Sequence, residues 1–92
     1  MYQVRMTRTF RKNMDKCRKR GLDMEIIKTV ILLLEADGKL PQQYRPHKLS
    51  GKFMGCWECH LKPDWLLIWE QNDVELTLLF TGTGTHSDLF GM

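Results

Sequence analysis

The spacing of apolar residues changes twice along this 92-residue chain, and each change marks a change of element. Tyr2, Val4 and Met6 alternate with polar residues, which predicts a short first strand. Thr7 or Thr9 can cap a following helix. Phe10, Met14 and Cys17 recur there at helical spacing, with Arg11, Lys12, Lys16, Arg18, Lys19 and Arg20 over much of the remaining surface. Gly21 terminates that helix and Asp23 caps a second, in which Ile26, Ile27, Val30, Ile31, Leu33 and Leu34 form a wide apolar stripe ending at Gly38. The short link between them predicts an antiparallel helical hairpin.

Residues 38–52 have no period; Gly38, Pro41, Pro46 and Gly51 break it, and the stretch reads as irregular. From Phe53 the period is two. Trp57, Cys59 and Leu61 point one way from a strand and Cys56, Glu58 and His60 the other. Lys62-Pro63 makes a turn. Trp65 to Trp69 is almost wholly apolar, as in a central strand covered on both faces. Gln71-Asn72-Asp73 reads as a second turn, and Val74, Leu76, Leu78 and Phe80 as a third alternating strand. Thr81-Gly82-Thr83-Gly84 reads as a loop, and Thr85 and Asp88 have capping-box spacing for a short last helix carrying Phe90. The expected fold is α+β: an N-terminal strand, a two-helix hairpin, a three-stranded antiparallel sheet and a short C-terminal helix, with the helices on one sheet face.

Residues 1–92 suit one domain, and 42% hydrophobic with 27% charged residues suits an ordinary globule. The N-terminus does not read as a signal peptide and no apolar run spans a bilayer, so a cytoplasmic protein without a membrane partner is expected. The net charge of +3 conceals an asymmetry. Residues 1–20 carry eight Lys/Arg against Asp15 alone, or +7; the rest carry six against ten acids, or −4. A basic segment on an acidic body suits a polyanion or an acidic partner chain. A merely solvated helix face has the same composition. Three cysteines cannot all pair within one chain, and they are expected to be reduced.

All three histidines, His47, His60 and His86, fall where extended segments begin or end, and Asp64 follows His60 across the Lys62-Pro63 turn. Imidazole exchanges protons near neutral pH, so this set suggests acid–base chemistry on an anionic substrate, with Arg45, Lys48 and Lys52 near enough to balance phosphate charge. Each residue also has a plain role: His47 on a surface loop, Asp64 as turn former, His86 at a helix start. The Thr81–Thr85 stretch could present backbone amides to a phosphate, or serve as a simple connection. Cys56-Trp57-Glu58-Cys59-His60 matches the pattern for covalent haem attachment. Against haem stand the absent export signal, the strand-like flanks and the lack of a methionine loop for the axial ligand. Zinc is disfavoured because the pair is half a site and residues three apart on a strand face oppositely. Cys59 is expected in the core and Cys56 to be incidental.

Three segments together carry a resemblance: Pro46-His47-Lys48-Leu49-Ser50-Gly51, Cys59-His60-Leu61-Lys62-Pro63-Asp64-Trp65-Leu66-Leu67-Ile68-Trp69, and Thr83-Gly84-Thr85-His86-Ser87-Asp88-Leu89-Phe90. The chain resembles the YafQ branch of the RelE/ParE toxin superfamily. The motifs are densest over residues 44–91, and the element order agrees with the family fold elsewhere. The resemblance implies a ribosome-dependent mRNA endonuclease, held inactive by a cognate antitoxin, here expected to be a ribbon-helix-helix type. Cleavage in such toxins needs no metal or other cofactor: the ribose 2′-OH attacks the adjacent phosphate and the 5′-oxygen leaves. By motif position His47, His60, Asp64 and His86 match the catalytic set, and Phe90 the C-terminal aromatic that stacks on a displaced base. His47 and His86 are expected to transfer protons and Asp64 to orient an imidazole. His60 is expected to position phosphate or share proton transfer, and Glu58 is a weaker candidate on the same strand face. Many relatives carry arginine where this chain has Gly82, which removes a cation from the transition state. A catalytically weak relative that only binds antitoxin or ribosome is therefore the competing reading. The basic first helix would grip ribosomal RNA, an acidic antitoxin segment, or both.

Overall fold

A computed structural model describes residues 1–91; Met92, the end of the expected domain span, lies outside the described residues. The elements run β1 (Gln3–Met6), α1 (Arg8–Lys19), α2 (Met24–Asp37), β2 (His47–Lys48), β3 (Cys56–Lys62), β4 (Trp65–Asn72), β5 (Thr77–Gly84) and α3 (His86–Phe90). Single 3-10 turns at Gln42–Tyr44 and Gly51–Phe53 flank β2. No helix among the described residues is long and apolar enough to cross a membrane.

Local chemistry explains the helix ends. Thr7 Oγ1 accepts the Phe10 N–H at 3.0 Å, and Asp23 accepts that of Glu25 at 3.1 Å. Lys16, Arg18 and Lys19 sit in the last turn of α1, where the helix dipole favours cations. Gly38 closes α2 with φ 73°, a left-handed cap that a side chain would disfavour.

The sheet differs from the expected three-stranded one. It has five strands in the order β1-β5-β4-β3-β2. β1 joins parallel to β5, and His47–Lys48, inside the stretch read as irregular, pairs antiparallel with β3. Two residues are too few to show a period. The third long strand also begins later and runs further than expected. Asn72 Oδ1 accepts the N–H groups of Val74 and Glu75, which extends the turn. Val74 is 93% exposed and Leu76 has φ 55°, so neither belongs to the strand. The Thr81–Gly84 stretch, read as a loop, is strand: Gly82 and Gly84 pair with Ile68 and Leu66. Buried Thr83 ties it down, accepting from Trp65 Nε1 at 3.0 Å and donating to the Leu66 carbonyl at 2.7 Å.

Between the helices and the sheet lies the core. Phe10 of α1 meets Phe80 at 5.7 Å between ring centroids, Trp69 meets Phe80 at 6.4 Å, and Trp57 stacks on Trp69 at 6.2 Å. Ile27, Val30 and Leu34 cover it from α2. Each such apolar side chain contributes roughly 1.5–3 kcal/mol by leaving water. β4 is central, and Trp65 to Trp69 are all buried as the sequence predicts. Trp65, Leu67 and Trp69 face the helices, while Leu66 and Ile68 point to the other face.

Candidate active site

That other face gathers the chemistry. Cross-strand partners project to the same side of a sheet. His47 pairs with Glu58, Glu58 with Ile68, His60 with Leu66, Ile68 with Gly82 and Leu66 with Gly84. Buried Leu66 and Ile68 therefore form a floor. His47, Glu58 and His60 stand on one flank of it, and the two glycines let Leu89 and Asp88 of α3 pack close on the other. α3 begins immediately after Gly84 and lays His86 and Phe90 beside them.

The rings form a continuous row. His47 and His60 lie 6.1 Å apart between centroids, His60 and His86 6.2 Å, and His86 and Phe90 6.3 Å. Phe53, where the sequence predicts the alternating segment to start, ends a 3-10 turn instead and closes the row edge-on to Phe90 at 5.2 Å. His47 and His86 are nearly half exposed, whereas the His60 side chain is only 19% exposed.

Each outer imidazole has its own carboxylate. Asp64 Oδ1 accepts from His86 Nδ1 at 2.7 Å and from the His86 backbone N–H at 3.0 Å. The backbone bond and then the ring bond hold the Asp64 carboxyl below its ordinary value of 3.8. The bond at Nδ1 leaves Nε2 of His86 open to a substrate. His47 Nδ1–H donates to the Arg45 carbonyl at 2.9 Å, and its Nε2 lies 3.1 Å from Glu58 Oε1. A ring between two acceptors satisfies both only when it carries both protons. Glu58 is the one buried charged side chain among the described residues, 7% exposed, and it serves this ring.

Asp64 follows His60 across the turn, but the imidazole it meets is that of His86. A bulge between His60 and Lys62 shifts the β3–β4 register, and the Leu66–Gly84 pairing brings Thr85 and His86 against the turn instead. His60 has no carboxylate within hydrogen-bond reach: Nε2 is 3.9 Å from Glu58 Oε1. Its Nδ1 is shut off from solvent without a partner, an arrangement costing on the order of 1–3 kcal/mol if that nitrogen carries a proton.

The cations separate into two groups. Arg45 and His60, with Gln43, Leu61, Lys62 and Pro63, line an open cavity of about 330 Å³, and Lys62 is a cation that sequence reasoning missed. Lys52 Nζ lies 5.5 Å from the Phe53 ring, beside the aromatic end of the row. Lys48 departs from the expected cluster. It pairs with Trp57, and Nζ sits 5.6 Å over that ring on the opposite sheet face from the imidazoles.

At Gly82 a β-carbon would lie 3.2 Å from Leu89 Cδ2, so the leucine of α3 occupies the space where a longer residue would start. Cys56 and Cys59 face opposite ways, and burial pushes the Cys59 thiol up to about 12. A thiol held protonated on the far face is no partner for Cys56 or His60 around one ion.

A family model described as a bacterial toxin of type II toxin–antitoxin systems, YafQ, matches residues 2–91. The chain belongs to the YafQ toxin family. It is 37% identical over 83 residues to the mRNA interferase toxin YafQ of Escherichia coli K12, covering 89% of this chain and 88% of that one. The crystal structure of YafQ from E. coli BL21(DE3) superposes with a TM-score of 0.91 at 33% identity, covering 99% of this chain and all of that one. YafQ in the E. coli DinJ–YafQ complex superposes at 0.87 with 34% identity, again covering 99% of this chain and all of that one. The α+β architecture of this chain is that of YafQ.

Proposed function

We propose that this YafQ family member is the toxin of a type II toxin–antitoxin pair and cleaves mRNA on the ribosome. In this reading residues 1–92 act as one domain in the cytoplasm, restrained by a ribbon-helix-helix antitoxin as DinJ accompanies YafQ. The observation that carries it is the row of His47, His60 and His86 on one open face, with Asp64 and Glu58 on the outer two rings and Phe90 at its end.

Transesterification by a ribose 2′-OH needs a group to take the hydroxyl proton, one to give a proton to the leaving 5′-oxygen, and donors for the charge on the phosphorane. His47 and His86 flank the row and exchange the protons. Asp64 and Glu58 orient them. His60, between them and beside Arg45 and Lys62, faces the phosphate. Phe90, backed by Phe53 with Lys52 nearby, stacks on a base of the message. No step requires a metal or cofactor.

Gly82 favours a second reading, a binder of antitoxin or ribosome with weak catalysis, because the face lacks an arginine there. One assay separates the two. Purified chain is mixed with ribosomes on a defined message, and 5′ ends are mapped. Cuts inside the reading frame that disappear in His86→Ala support the nuclease. Intact message with ribosome binding retained supports the binder and removes the nuclease reading.

A further inference from the structure

α3 has only five residues, too few to persist alone, yet it carries both His86 and Phe90. One side chain ties it both to its own first turn and to α1. Asp88 Oδ2 accepts the Thr85 N–H at 3.0 Å while Thr85 Oγ1 accepts the Asp88 N–H at 3.0 Å, a complete capping box. The same carboxylate receives Arg20 in bidentate fashion, Nη1 to Oδ2 at 2.6 Å and Nη2 to Oδ1 at 3.1 Å, and Lys16 Nζ at 3.3 Å. Arg20 caps the C-terminal end of α1 and Lys16 lies one turn before it, so the contacts cross 68 and 72 residues of sequence.

This differs from the exposed pairs Arg18–Asp15 and Lys28–Glu25, each three residues apart and of the kind that adds roughly 0–1 kcal/mol. Arg20 and Lys16 are exposed at 40% and 57%, but Asp88 is only 18% exposed and receives both of them. The Arg20 bonds, then the Thr85 N–H, hold its carboxyl well below the usual carboxylate range. Capping alone would not need the two cations. They fix the direction from which α3 leaves β5, and that direction sets where the His86 ring stands against Asp64.

We infer that Asp88 is a positioning residue for His86, acting through its ion pairs with Arg20 and Lys16 of α1. The catalytic part of this inference rests on the reading of His86 as a proton-transfer group; the structural part does not. It also means that Lys16 and Arg20, two of the cations that made the first helix look like a polyanion surface, are engaged within the molecule.

The test uses the full chain with Arg20→Gln, Arg20→Lys, Asp88→Asn, the double variant Arg20→Gln/Asp88→Asn, and Lys28→Gln as a control for charge on a helix elsewhere. Two readouts are taken: kcat and KM for cleavage of ribosome-bound mRNA, and amide hydrogen exchange at His86 and at Leu67 in β4. Arg20→Gln is expected to lower kcat roughly tenfold to a hundredfold, the usual result of a reacting group displaced by a fraction of an ångström to an ångström, with KM unchanged. His86 exchange should accelerate while Leu67 keeps its protection. Arg20→Lys should recover part of both effects, and the double variant should be no slower than Asp88→Asn alone. Lys28→Gln should match the parent. If the parent does not cleave message yet His86 exchange responds as described, the clamp stands and the nuclease reading falls. Parent-like kcat and His86 exchange in Arg20→Gln would overturn the inference, as would a rise in KM alone or an equal loss of protection at Leu67.

Discussion

The two outer imidazoles reach the same face by opposite means. His86 rides on α3, whose position is fixed from a distance by Asp64 and by the Arg20–Asp88–Lys16 cluster. His47 rides on a two-residue edge strand, fixed locally by the Arg45 carbonyl two residues earlier and from below by Glu58. On the His86 side the carboxylates are stabilised by their partners, and both sit below their ordinary pKa. On the His47 side Glu58 is buried, with the His47 ring at 3.1 Å and the His60 ring at 3.9 Å. One arm ties its carboxylates to several donors; the other rests a buried carboxylate on a single hydrogen-bonded ring. The same proton chemistry thus rests on two different energetic foundations.

Removing a ring should have the largest effect. His86→Ala is expected to reduce mRNA cleavage by at least roughly a hundredfold, the usual worth of a positioned acid or base, with little change in melting temperature because the ring is partly exposed. Neutralising the carboxylates should then split the arms. Asp88→Asn lowers cleavage and melting temperature together. Glu58→Gln lowers cleavage by a similar factor, roughly tenfold or more, but lowers the melting temperature less, since Glu58 holds one ring where Asp88 holds Arg20, Lys16 and the Thr85 N–H. Thermal denaturation beside a cleavage time course checks both, and a Glu58→Gln drop as large as that of Asp88→Asn would erase the contrast.

Acid should loosen the His86 arm only late. Asp64 and Asp88 have folded values below 3.8, so their contribution is complete above the unfolded carboxyl range of about 4 and is lost as pH falls through the lowered folded values. The side-chain carboxyl carbon-13 shifts of Asp64 and Asp88 should make their main move only below about pH 4. The smallest effect concerns the missing cation. Leu89 Cδ2 is the flexible end of a side chain and can yield a few tenths of an ångström at 82, where the strand is extended. Gly82→Arg should therefore raise the cleavage rate a few-fold by adding a donor to the phosphorane face, measured as single-turnover kcat.

What the sequence made legible follows from the same division. The helices, their caps, the central strand and the His86 arm announce themselves through periods and capping pairs: Thr7, Asp23, and Thr85 with Asp88. The facing of Glu58 and His60 away from Cys59 also follows from a period of two. The strand at His47 could not be read, because two residues have no period and their partners, Glu58 and Trp57, lie beyond an intervening turn. Lys48 was grouped with His47 by sequence distance, yet adjacent residues on a strand face opposite ways. The tie between Asp64 and His86 depends on a bulge and on a strand that continues through two glycines, where composition alone suggests a loop. Lys62 lies beside a bulge, and Phe53, where the sequence predicts the alternation to begin, lies in a 3-10 turn three residues before the strand.

Gly84 has φ 152°, and the Asp88 carboxylate oxygen stands 2.8 Å from where its β-carbon would be. A methyl group there would meet both an unfavourable backbone and an occupied space. The two positions are therefore coupled: a side chain at 84 would push the acid at 88 aside, and the last turn would lose its mooring to the first helix.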